Sequence, residues 1–96
     1  MTLHKYIRIT DFCQGHSLQE SFLYQLNEVE LIEILEVEHQ PVIRQSQLDR
    51  LERLVRLHRD LEISPQGLLA VDHLLDRMEA LQEEILELRR RLNRWE

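Results

Sequence analysis

Cys13 is the only cysteine in the 96 residues, so no disulfide forms within the chain and its stability rests on packing. Two glycines and two prolines are too few for an all-β fold, which needs a turn every few residues. The apolar runs stay far below the ~18 residues of a membrane helix, and no signal peptide precedes the first periodic segment. The expectation is a chain without a membrane segment, working in the cytoplasm. A chain this short buries only ~60–65% of its extended surface, so a partner or a second copy is expected to add to a modest core.

Positive charge is also missing over a long stretch. Between Arg8 and Arg44 lie 35 residues without Lys or Arg, yet that stretch holds Asp11, Glu20, Glu28, Glu30, Glu33, Glu36 and Glu38. Eleven of the twelve cations are arginine, and most crowd into residues 44–59 and 89–94. The net charge of −6 disfavours non-specific attachment to nucleic acid, and its segregation matters more than its size.

What is present is mostly helical pattern. "YIRI" at 6–9 predicts a short strand, and a brief helix through Phe12 and Cys13 is expected to end at Gly15. Ser17 and Glu20 have capping-box spacing before a second helix, with Leu18, Phe22, Leu26 and Val29 on its inner face. The Ile- and Val-rich residues 31–43 predict two strands around a turn at Glu38 to Pro41, a wing. Ser46 then caps a helix with Leu48, Leu51, Leu54, Val55 and Leu57 inward, ending near Asp60. Along it, Arg50, Arg53 and Arg56 are spaced to pair with Asp49, Glu52 and Asp60.

At "RLHRDLEISPQGLL" one helix stops and another starts at once. No glycine closes the first, whereas Ser64 and Pro65 mark the start of the second. Leu57 and Leu61 are expected to finish the inner face of one helix, and Ile63 and Leu68 to belong to the next. From there nothing breaks the pattern. Val71, Leu74, Met78, Leu81, Ile85, Leu88, Leu92 and Trp95 alternate three and four apart, an a/d seam that calls for another helix. The expected product is a homodimer. Its direction stays open, although a parallel pair would gain Glu84 against Arg89 of its mate.

The organisation that follows is mainly α: a winged helix-turn-helix domain at 1–63 with a small β wing, then a long C-terminal coiled-coil helix at 64–96 for dimerisation and partner binding. This order resembles the MerR-type winged-helix family, with "YIRITDFCQGHSLQESFLYQLNEVELI" where that family has its strand, helix-turn-helix and "GLI" entry to the wing. Glu30 stands in place of the glycine. Phe12 and Cys13, then Arg56, Leu57, Asp60 and Leu61, then Gly67 and Leu68 resemble the chaperone modulator CbpM branch. That resemblance implies a protein that binds the J-domain of a CbpA- or DnaJ-type co-chaperone and stops it from stimulating the DnaK chaperone.

The partner surface is then expected where a rigid element offers acids beside apolar anchors to a basic helix. Asp72, Asp76 and Glu79 lie four and three apart on the long helix, with Leu68, Leu69 and Leu75 nearby and Asp60 and Leu61 at the corner. Glu33, Glu36 and Glu38 on the wing form a second candidate patch. The main alternative is a MerR-like DNA-binding regulator. Its second helix and wing would have to neutralise phosphates, yet they carry no cation; only the arginines of 44–59 offer a rescue. A plain coiled-coil adaptor is a third reading. Cys13 and His16 have metal-like spacing, but a site needs three or four ligands, and His4, His39, His58 and His73 form no second cluster in sequence. No phosphate loop or nucleophile motif is present. No cofactor, metal, catalysis or nucleic-acid partner is expected.

Overall fold

Three short antiparallel strands and four helices make up residues 5–95, which the computed structural model describes. Strand β1 is Tyr6–Arg8; Ile9, read from sequence as its last residue, instead opens helix α1 (Ile9–His16) and is wholly buried. Helix α1 runs straight through Gly15, its expected end. It stops at Ser17, whose backbone is left-handed at φ 53°. The Leu18 and Ser17 N–H groups donate back to the Cys13 and Gln14 carbonyls, a Schellman closure. Ser17 therefore ends one helix rather than capping the next. Helix α2 (Glu20–Glu28) starts after Gln19 without a side-chain cap, so the capping box does not form.

The same closure ends α2. Leu31 and Glu30 donate to the Leu26 and Asn27 carbonyls, and Glu30 takes the left-handed position at φ 63°. A residue with a Cβ pays about 1–2 kcal/mol there, a cost that glycine would not carry. Strands β2 (Leu35–Val37) and β3 (Gln40–Arg44) follow. Their turn is tighter than expected. Glu38 and His39 alone make it, both at positive φ, the geometry of a two-residue type I′ hairpin. Pro41 lies inside β3, beyond the last residue paired with β1, where its missing N–H costs no ladder bond. Strand β3 is central, in the order β1-β3-β2.

A short 3-10 turn at Gln45–Gln47 takes up Ser46, so the expected serine cap of helix α3 (Leu48–Leu61) does not form either. Leu51, Leu54 and Val55 of α3 are buried against Ile9, Phe12, Phe22, Leu23, Leu26 and Ile43. Helix α4 (Pro65–Trp95) begins as read from sequence: Ser64 Oγ accepts from the Gly67 N–H at 3.2 Å, a cap of about 1 kcal/mol. Leu68 is fully buried in the same core, so the first turn of α4 packs as part of the head. Past Leu75 every described residue of α4 except the half-buried Glu87 is exposed, so this part extends as a rod, and the molecule is 59 Å along its longest axis.

Candidate functional site

The corner between α3 and α4 is closed without glycine. Glu62 takes the left-handed backbone at φ 54°, and the His58 Nδ1–H donates to the Ile63 carbonyl at 2.7 Å. The His58 ring stacks on Phe22 with centroids 4.2 Å apart, which ties the corner to α2. Gly67 lies against this turn: a Cβ there would sit 2.8 Å from Ile63 Cγ2. Leu61 does not finish the inner face of α3, because the chain turns away at Glu62 and leaves that side chain exposed. Asp60 beside it is exposed as well.

Two residues expected on the partner surface are not on any surface. Leu68 fills the core, and Asp72 is fully buried. The Asp72 carboxylate accepts from both Arg50 Nε, at 3.3 Å, and Arg50 Nη2, with Arg53 Nη2 at 3.4 Å. Arg53 Nη1 then reaches Glu79 at 3.6 Å. Asp72 and Glu79 are two turns apart on one side of α4, and that side faces α3. The arginines thus reach across to α4 instead of pairing along their own helix. A carboxylate taken from water needs such partners, and two guanidinium groups supply them. The bond to Asp72 in turn holds Arg50 more firmly in its charged form. Arg53 Nε is the one buried side-chain polar atom without a partner among the described residues.

The remaining residues of that expected surface divide. Leu69 packs partly against the core, Leu75 is half-buried, and Asp76 and Glu79 are exposed. On the rod, Val71 is half-buried while Leu74, Met78, Leu81, Ile85, Leu88, Leu92 and Trp95 are open, from 44% exposed at Leu81 to 88% at Trp95. Leu86, which the seam pattern omits, is open too.

Across the head lies the surface formed by α2 and the wing. Glu20, Tyr24 and Glu28 follow one another at helical turns on the outer side of α2, all exposed. Asn27 Oδ1 accepts from the Ile34 N–H at 3.1 Å and so fixes the start of β2 against α2. Between them runs an open groove of about 360 Å³ lined by Tyr24, Ile34, Leu35, Glu36, His39 and Pro41. No Lys or Arg lies on α2 or on the wing before Arg44. Arg44 itself is paired with Glu33 at 2.5 Å. Sequence reading noted the acids here but missed Tyr24, whose spacing from Glu20 and Glu28 was the available signal.

The arginines of 44–59 are mostly engaged within the chain. Besides Arg44, Arg50 and Arg53, Arg59 donates to the backbone carbonyls of His16 and Ser17 and so clamps the end of α1. Only Arg56 of this group is exposed with no partner among the described contacts. Cys13 is buried in the core, and that burial, with Glu20 adding, pushes its thiol up. His16 stacks on Phe12, shares a hydrogen bond with the Phe12 carbonyl at 3.0 Å, and lies 3.5 Å from Glu52. His4 lies outside the described residues.

No helix among the described residues is long and apolar enough to cross a membrane. Comparison with curated proteins and with solved structures gives no match. The family model described as MerR HTH family regulatory protein matches residues 7–90, from the first strand to the last turns of the rod. The three-stranded sheet, the helix pair between its first two strands and the long C-terminal helix are consistent with that match, and the chain belongs to the MerR HTH family.

Proposed function

We propose that this member of the family works by binding protein, as a CbpM-like modulator that captures the J-domain of a co-chaperone and withholds it from DnaK. The observation that carries this reading is the face made by α2 and the wing. In a winged helix-turn-helix that face would meet DNA, and affinity for DNA comes mainly from Lys and Arg on phosphates. Here it displays Glu20, Glu28, Glu36 and Glu38; Arg44 at the end of β3 is paired with Glu33, and Arg8 of β1 lies beside Glu38. A duplex would be repelled. A basic helix, such as the J-domain is expected to offer, would be drawn in.

The reading includes a dimer through the open seam of α4. Asp72, Asp76, Glu79, Glu83 and Glu84 occupy its first part and Arg89, Arg90, Arg91 and Arg94 its tip. Parallel pairing would set arginine tip against arginine tip. Antiparallel pairing, with Leu74 opposite Leu92 and Met78 opposite Leu88, separates the two arginine tips and brings Arg90 of each level with the exposed Asp76 of its mate, and charge favours it. Catalysis and a cofactor form no part of the proposal.

Calorimetry with the purified J-domain, followed by the DnaK ATPase assay with and without this protein, tests it. Saturable binding and loss of J-domain stimulation are expected. Duplex DNA should bind no more tightly than the ~10⁻⁴–10⁻⁶ M of non-specific contacts. A sequence-specific footprint would reverse the reading in favour of a DNA-binding regulator.

A further inference from the structure

We infer that the groove between α2 and β2 is the docking site for a cationic amphipathic helix, with Tyr24 as its apolar anchor. The inference rests on the protein-binding reading above and gives that reading a place on the molecule. The stripe of α4 acids does not serve, because Asp72 is buried and Glu79 already faces Arg53.

Three properties of the groove select the occupant. Its floor is apolar: Ile34, Leu35 and Pro41 lie beside Tyr24, a large side chain 42% exposed. Such an aromatic gains most when a partner covers it and excludes water. Its rims are carboxylates: Glu20 and Glu28 stand one turn before and one turn after Tyr24, and Glu36 lines the opposite wall. A ligand with an apolar stripe flanked by Lys or Arg complements both at once. Its walls are also held in place, by the Asn27–Ile34 hydrogen bond and by the two-residue turn at Glu38 and His39. Preformed walls cost little ordering on binding. A strand is a poorer occupant, since β2 offers an edge of only three residues for ladder bonds.

The test uses the full chain and two probes. The first is a synthetic Lys/Leu amphipathic helical peptide, with a Glu/Leu peptide of the same pattern as control. In isotope-edited NMR, the Lys/Leu peptide should shift Tyr24, Leu35 and Glu36 and the control should not. Tyr24→Ala, and separately Glu28→Lys with Glu36→Lys, should each weaken it about tenfold or more. These positions are exposed, and circular dichroism checks that the fold survives; the charge variants carry the test if Tyr24→Ala does not fold. Shifts confined to the α4 seam, or unchanged affinity in the folded variants, would overturn the inference. So would duplex DNA producing the groove shifts in place of the peptide.

The second probe is the J-domain. Groove variants should weaken its binding, while Asp76→Arg with Glu79→Arg should not. If only the α4 variants weaken it, the groove is the wrong surface and the J-domain reading stands. If the J-domain fails to bind while the peptide still maps to the groove, the docking site stands and the J-domain reading falls.

Discussion

The head and the rod of this protein are written in the same apolar alphabet, yet they treat their leucines in opposite ways. In the head, Leu23, Leu26, Leu51, Leu54 and Leu68 are at most 1% exposed. Along the rod, Leu88 and Leu92 are about 60% exposed, although their spacing is just as regular. Helical period specifies which side of a helix is apolar; it does not supply what covers that side. Charge behaves the same way. Asp72 and Asp76 are one turn apart on α4, but Asp72 lies under two arginines and Asp76 faces water.

That contrast is sharpest if the rod can be unpaired while the head stays folded. Leu81→Asp or Leu88→Asp places a charge in an apolar layer and should turn a dimer into a monomer, read by light scattering, with the head's melting cooperativity retained. A wild type already monomeric, or an unchanged mass in both variants, would remove the dimer. Next in size is a pair of truncations on the same helix. Leu68→Ala should cost the head about 2–5 kcal/mol in urea unfolding, as buried leucines do, while Leu92→Ala in the full chain should change the head's unfolding by no more than about 0.5 kcal/mol. Equal effects would mean that head and rod fold as one unit.

The acids offer a smaller version. Asp72→Ala strands Arg50 and Arg53, which are 41% and 31% exposed at the side chain and can partly return to water. A loss of about 2 kcal/mol is expected, below the figure for a fully buried pair, with Asp76→Ala near zero. The smallest effects are gains. Glu30→Gly and Glu62→Gly relieve left-handed backbone at two helix ends and should each stabilise the fold by about 1 kcal/mol in thermal melts. A loss at either position would show that its side chain does more than tolerate its backbone.

The helices, the wing and the Ser64 start of α4 are legible in the sequence, because their signals are local: a period, a hydrogen-bonding side chain, a proline. Helix ends were read less well. Ser17 looked like a cap and Gly15 like a stop, but Ser17 itself takes the left-handed position and α1 continues through Gly15. The closure is cooperative: a Schellman motif satisfies two orphan backbone carbonyls together and can outweigh the residue preference for glycine. Leu68 and Asp72, expected on the partner surface, were misplaced for a related reason. Spacing placed Asp72, Asp76 and Glu79 on one stripe, and spacing alone cannot say whether that stripe faces α3 or water.

By itself, then, the sequence determined the kind of elements, the absence of cations from residue 9 to residue 43, and the apolar seam of the rod. Each depends only on residue type and interval. Tertiary structure alone decided that Arg50 and Arg53 reach across to Asp72, that Arg59 clamps the end of α1, and that Tyr24 opens beside the wing. Those outcomes depend on how α2, α3, α4 and β2 approach one another. A long side chain reaches whichever opposite charge the packing brings within a few ångströms, and only the assembled core sets those distances.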